Sequence, residues 1–324
     1  MSDPAQLIQK IRAALAPCRL GDWPTPLERA PALAHAVGVA ELAVKREDRS
    51  SARAGGNKVR GLEFLFAGAP TGTVFVTLGG TGSTHCLATA VHAAAAAGSA
   101  VLAQFPQPET PASRAVAAAC RARATLVVHA RARATLPLAV LDAWRRAGAL
   151  GPRRWIPGGG AHPRAVVGHV LAGLELASQG VSPPDAIVLP LGTGGTAAGL
   201  ALAVTALGWP TQVVGVRVAP RLVANGWRTM RLARAARRLL AGQGIPLPAP
   251  RSLHIVDGLG LGYGHPTPEG EAAARLASEH GLILDPTYGA KAFAFLMRRA
   301  TCNVQRVVFW HTFAVPVPQA EPAP

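Results

Sequence analysis

The 324-residue chain predicts an α/β protein of two domains, each a mostly parallel open sheet flanked by helices. Short runs of β-branched and other apolar residues alternate with alanine-rich stretches of helical length. That alternation occurs in two series, separated by the glycine- and proline-bearing segment from Gly151 to Gly160. Apolar residues make up 49% and charged residues 15%, which is the balance of a chain that buries a core rather than staying disordered.

In the first series Thr73–Leu78 reads as a buried strand and Thr84–Ala97 as the helix after it. Ala100–Phe105 reads as strand, Ser113–Ala122 as helix, Thr125–His129 as strand and Leu138–Ala147 as helix. The second series comprises strand Ala186–Leu191, helix Thr196–Leu207, strand Gln212–Val218 and helix Arg221–Ala241. Helices over Pro268–His280 and Ala290–Ala300 and a strand over Arg306–Trp310 complete it. Residues 1–61 and 158–324 are assigned to a larger domain and 62–157 to a smaller one. The proline-rich tail, Val315–Pro324, is expected to lack regular structure.

The formal net charge is +16, a balance that can mark a partner such as nucleic acid. One local concentration exists: Arg228, Arg231, Arg234, Arg237 and Arg238, at helical spacing opposite Met230, Leu232, Ala233, Leu239 and Leu240. No aromatic residue interleaves with these arginines, so the stripe reads as a solvated face rather than a base-stacking platform. Cys18, Cys86, Cys120 and Cys302 lie far apart with no C-x-x-C pair, which implies neither a metal site nor a disulfide framework and suits a reducing cytoplasm. The longest apolar run, Ala186–Leu207, is interrupted by Pro190 and a glycine loop and is too broken for a membrane span.

Three segments carry chemistry. The first is Gly55-Gly56-Asn57-Lys58. Only four lysines (Lys10, Lys45, Lys58, Lys291) stand against 29 arginines, and an amine, unlike a guanidinium, can condense with a carbonyl. The second is Leu78-Gly79-Gly80-Thr81-Gly82-Ser83-Thr84-His85, between strand and helix, where free N–H groups and two hydroxyls can hold a carboxylate; Ser83 can equally cap the helix. The third is Leu191-Gly192-Thr193-Gly194-Gly195-Thr196, again strand, glycine loop and helix, a cradle for a phosphate. Its glycines fit neither the P-loop nor the dinucleotide spacing. A phosphate cradle together with a condensing lysine points to pyridoxal phosphate.

On these motifs, with Tyr263-Gly264-His265-Pro266 and Asp285-Pro286-Thr287-Tyr288-Gly289, the chain resembles the D-cysteine desulfhydrase/1-aminocyclopropane-1-carboxylate deaminase family, of the tryptophan-synthase-β-like fold, over nearly its whole length. The resemblance implies a cleft between the domains, with Lys58 carrying the cofactor and moving the substrate proton. Gly192, Thr193, Gly194, Gly195 and Thr196 would hold the phosphate. Asn57, Thr84 and Thr312 would contact the cofactor, Thr312 near its ring nitrogen. Ser83, Thr84 and His85 would hold the substrate, and Tyr263 and Tyr288, the only tyrosines, would face it. A dimer is implied as well.

Four departures stand out. Thr84 replaces an asparagine, Gly61 a lysine, Gly289 the deaminase's glutamate, and Phe313-Ala314 a pair of glycines. The third argues against deaminase activity. The expected function is β-elimination from a small D-cysteine-like amino acid to a keto acid and ammonia. The alternatives are racemisation or β-replacement on the same scaffold, a cofactor-binding relic without catalysis, and, last, a nucleic-acid-associated protein.

Overall fold

The computed structural model describes residues 3–251, 253–298 and 304–314. Along the chain run α1 (Pro4–Leu15), β1 (Leu27–Arg29), α2 (Pro31–Val37), β2 (Glu41–Arg46), α3 (Lys58–Phe66), β3 (Val74–Gly80), α4 (Thr84–Ala95) and β4 (Ser99–Phe105). Then come α5 (Pro111–Arg123), β5 (Leu126–His129), α6 (Leu136–Leu150), β6 (Arg153–Trp155), α7 (Pro163–Ser178), β7 (Ala186–Leu191) and α8 (Gly195–Ala206). Last are β8 (Gln212–Arg217), α9 (Gly226–Ala241), β9 (His254–Asp257), α10 (Pro268–Glu279), α11 (Gly289–Met297) and β10 (Arg306–His311).

The strands form two sheets. A six-stranded sheet has the order β1-β2-β10-β7-β8-β9, and a four-stranded sheet the order β5-β4-β3-β6. Among the described residues only β1 and β2 pair antiparallel; every other pairing there is parallel, as the strand–helix alternation requires. Such strands are covered on both faces, and β7 is buried at all six positions. The chain leaves β3, β7 and β10 at their carboxyl ends directly into the loops at 81–83, 192–194 and 312–314, where open α/β sheets place ligands.

Two sequence expectations need correction. The helix expected from Arg221 begins at Gly226, because the Asn225 side chain accepts the Arg228 N–H at 2.9 Å and caps it there. Arg237 does not belong to the solvated stripe; it is half-buried and donates to the Leu247 carbonyl at 2.6 Å. The expectations for Cys302, for Ala290–Ala300 beyond residue 298 and for the tail from Val315 lie outside the described residues. Among the described residues, no helix is long and apolar enough to cross a membrane.

Small residues set the helix packing around the site. At Gly173 a Cβ would stand 2.4 Å from the Ala203 Cβ, and at Gly199 it would stand 2.4 Å from the His169 Cβ, so α7 and α8 touch through glycine. At Gly168 it would meet the Arg60 carbonyl at 2.2 Å, which brings α3 equally close. Gly61 is buried, and a Cβ there would stand 3.0 Å from the Ala165 Cβ, a contact that requires a small shift of α3 against α7.

Beneath α3 lies a buried cluster of two cations and two anions. Arg60 donates to Glu47 Oε1 and Oε2, both at 2.7 Å, and to Glu175 at 2.8 and 3.1 Å. Lys45, 0% exposed, donates to Glu175 at 2.6 Å, Gln179 at 2.7 Å and the Thr25 carbonyl at 2.8 Å. The charges balance and the carboxylates are multiply hydrogen-bonded, which is the condition for burying ions at tolerable cost. The cluster ties β2, α7 and the segment at residue 25 to the helix that begins at Lys58.

Candidate active site

Lys58 is the first residue of α3, and the two glycines before it are needed for the path of the chain. A Cβ at Gly55 would lie 1.8 Å from the Asp48 carbonyl oxygen, and Gly56 has φ +127°. Asn57 is held twice: its N–H donates to the Thr312 carbonyl at 2.9 Å, and its side-chain amide donates to Thr196 Oγ1 at 2.7 Å. The Lys58 amine donates to the Gly159 carbonyl at 3.2 Å. Burial without a carboxylate partner lowers its pKa to about 8.

The glycine loop follows β7. Gly194 has φ +89°, and a Cβ there would lie 2.5 Å from Thr229 Oγ1, so two independent constraints demand glycine. No side chain caps α8, which leaves its first N–H groups directed at the loop. A Cβ on Gly192 would meet nothing within 4 Å. The loop opens into a cavity lined by Asn57, Lys58, Thr84, residues 190–197, Tyr288, Thr312 and Phe313. Lys58 is the sole cation among those lining residues, so an anion in the loop would be held by backbone dipoles rather than paired charge.

Around this cavity stand the remaining expected residues. Ser83 is the N-cap of α4, its Oγ accepting the Cys86 N–H at 3.3 Å, which realises the capping alternative. His85 is 3% exposed, with Nε2 3.1 Å from Thr77 Oγ1. Tyr263 and Tyr288 meet edge to face with their hydroxyls 2.5 Å apart. Burial pushes the Tyr263 hydroxyl up to about 12 and raises that of Tyr288 as well, so both remain protonated donors at neutral pH. Phe313, 8% exposed, packs beside Gly56 and forms part of the cavity wall.

The structure thus brings Asn57, Lys58, Thr84, the 192–196 loop, Tyr288 and Thr312 to one cavity, with Tyr263 joined to it through Tyr288. Ser83 and His85 lie at the start of α4 and are not among the lining residues. Three neighbours were not foreseen. Gly159 gives Lys58 its acceptor; the run Gly158-Gly159-Gly160 was the signal, read only as a boundary. His169, from α7, places Nε2 3.5 Å from Thr196 Oγ1. Gln107, from the loop after β4, fills the space over Gly80 and Gly82, its amide atoms 2.1 and 2.4 Å from where their Cβ atoms would be. Neither side chain falls in a motif. Among the described residues, no group of three or more His, Cys, Asp or Glu residues could hold a metal ion.

A family model described as pyridoxal-phosphate dependent enzyme matches residues 18–312. Nocardicin C-9' epimerase of Nocardia uniformis subsp. tsuyamanensis is 36% identical over 305 residues, covering 89% of this chain and 91% of its own. D-cysteine desulfhydrase of Klebsiella pneumoniae is 32% identical over 309 residues, covering 90% of this chain and 92% of its own. A crystal structure described as an ACC deaminase homologue is similar at a TM-score of 0.80 and 27% identity, covering 94% of each chain.

Proposed function

This chain belongs to the pyridoxal-phosphate-dependent enzymes, in the group of the D-cysteine desulfhydrases and ACC deaminases, and on that premise we propose that it is a lyase. It would eliminate the Cβ substituent of a small, D-cysteine-like amino acid as the protonated leaving group, and the resulting enamine would be hydrolysed by water to a keto acid and ammonia. The observation that carries this is the Lys58 amine, held without a counter-ion in the same cavity as the glycine loop.

The residues present fit the cofactor. The uncapped N–H groups of α8 and the open space over Gly192 suit its phosphate, and Asn57, Thr84 and Thr312 line the cavity beside Lys58. When bound, pyridoxal phosphate supplies an aldehyde that condenses with amines and a ring that takes up the electron pair left at Cα. Lys58 would hold the cofactor, and its free amine would take the Cα proton; a pKa of about 8 leaves a usable neutral fraction at pH 7. The N-terminus of α4 binds the substrate carboxylate. The protonated Tyr263–Tyr288 pair gives the leaving group its proton.

A second reading is epimerisation, favoured by the 36% identical epimerase. There the tyrosine pair would return a proton to the opposite face of Cα. Incubation with D-cysteine, L-cysteine and β-chloroalanine in deuterated water separates the two. Elimination yields a keto acid; epimerisation yields Cα-deuterated amino acid without it. If neither product forms with any amino acid tested while the cofactor is bound to Lys58, catalysis is excluded and the protein is a binding relic.

A further inference from the structure

We propose that Lys291 is the positioning residue of Tyr263: its buried ammonium pins the glycine-rich loop at 259–262 to the first turn of α11, and so sets the Tyr263 hydroxyl against that of Tyr288. The catalytic consequence rests on the role given above to the tyrosine pair.

The two tyrosines come from different segments, and only one of those segments is framed by its own neighbours. Tyr288 is the N-cap residue of α11. Asp285 fixes its backbone: Oδ1 accepts the Thr287 and Tyr288 N–H groups at 3.1 and 2.7 Å, and Oδ2 accepts that of Gly289 at 2.8 Å. Tyr263 follows a loop with no such frame. Gly260, Gly262 and Gly264 have φ of +61°, +144° and +85°, and Leu261 is 88% exposed. Among the described residues, the loop's own hydrogen bonds stay local. The Leu259 N–H donates to Asp257 Oδ1 at 3.1 Å, the Gly262 N–H to the Leu259 carbonyl at 3.3 Å, and the His265 N–H to the Gly262 carbonyl at 3.3 Å. Bonds of that kind shape a loop without fixing it to the rest of the fold.

Lys291 supplies what the loop lacks. It is buried, and its stem runs beside Gly270 of α10, where a Cβ would stand 3.6 Å from Lys291 Cγ. Its amine reaches the Leu259 carbonyl at 2.8 Å and the Gly262 carbonyl at 3.4 Å, the two ends of the stretch that leads into Tyr263. A lysine that served only as packing would carry its amine out to water, as long charged side chains ordinarily do. Burying the amine is costly unless acceptors meet it, and here the acceptors are the loop. Asp285 opposes the loss of charge that burial favours. The segment 285–291 thus carries an anion that orders the N–H groups around Tyr288 and a cation that orders the carbonyls ahead of Tyr263. Neither lines the cavity at Lys58, so both act through the tyrosines.

The chain has two tyrosines, so protein labelled with ¹³C at tyrosine Cζ gives two signals, assigned with Tyr288→Phe. Lys291→Met keeps the stem and removes the charge. In it the Tyr263 signal should move at neutral pH toward that of a solvated tyrosine, the Tyr288 signal should shift as its partner leaves, and Lys291→Arg should bring both back. With D-cysteine or β-chloroalanine, Lys291→Met should lose about ten- to hundredfold in kcat, while capture of pyridoxal phosphate on Lys58, trapped by borohydride, stays unchanged. A role in packing alone would lower the melting temperature and leave the tyrosine signals in place. Unmoved signals in folded Lys291→Met overturn the inference. Moved signals in a protein whose unaltered form turns over no amino acid uphold the positioning role and overturn the catalytic reading of the pair. Should Lys291→Met fail to fold, trace acetylation of the unaltered protein carries the test. Lys291 should be modified far more slowly than the exposed Lys10, and equal rates overturn the inference.

Discussion

Lys45 and Lys58 lie thirteen residues apart, and their surroundings are opposite. Lys45 is enclosed by Glu175, Gln179 and the Thr25 carbonyl at 2.6 to 2.8 Å. Lys58 has one carbonyl at 3.2 Å. Burial lowers the pKa of both, but at Lys45 the carboxylates of Glu175 and Glu47 oppose the drop, whereas at Lys58 nothing does. The same amine is therefore a charged strut in one place and, under the proposed function, the base in the other. Arg60, two residues after Lys58, belongs to the strut, so one helix serves both regions.

The contrast can be broken most completely at Lys58. Lys58→Ala should abolish borohydride-trapped cofactor label while leaving a cooperative thermal transition; label persisting at another lysine would show that the site is misassigned. Arg60→Met attacks the other region. It strands Glu47 and Glu175 with one cation fewer, at a cost of about 3–5 kcal/mol in chemical denaturation, with label retained in the folded fraction. Acid sharpens that region further. Glu175 titrates below its ordinary value because of Arg60 and Lys45, so its stabilisation is complete above the unfolded carboxylate pKa and is lost as pH falls through the folded one. Glu175→Gln should flatten this acid limb in melts recorded from pH 7 downward.

A smaller effect lies in reactivity against pH. Capture of the cofactor requires the neutral amine, so its rate should rise about tenfold per unit up to a midpoint near pH 8 and then level off, whereas an ordinary lysine would keep rising to its usual range. Smallest of all, Tyr288→Phe removes one hydroxyl from the tyrosine pair. It should cost about 1 kcal/mol of stability by calorimetry and leave cofactor capture unchanged.

The parts of the site that could be read from sequence share a cause. Parallel strands buried on both faces give continuous apolar runs, which made β3, β7 and β10 recognisable, and glycine loops accompany the ends of β3 and β7. Helix α7 was not, because Ala165 through Leu176 are all buried and no polar face marks a period. The ionic cluster was hidden for another reason: Lys45 on β2 and Glu175 on α7 are 130 residues apart and meet only through the tertiary fold. The glycine that stands for a lysine at position 61 packs against α7, where an added Cβ would lie 3.0 Å from the Ala165 Cβ, a contact that only the fold reveals. Roles for Ser83 and His85 could be named from the motif, while the direction of each side chain depends on Cys86, Thr77 and Ile156.

The contact of Gly173 and Gly199 with the neighbouring helix has a further consequence. Since α8 begins at the glycine loop and cannot slide against α7, that end of the cavity has essentially one shape, and adaptation to new substrates must come from the loops that carry Gln107, beside Gly80 and Gly82, and the tyrosines. Diversification by laboratory selection should accordingly tolerate changes around residues 107 and 259–264, whereas a single added methyl group at 173 or 199 should silence the protein without altering any group that touches a ligand.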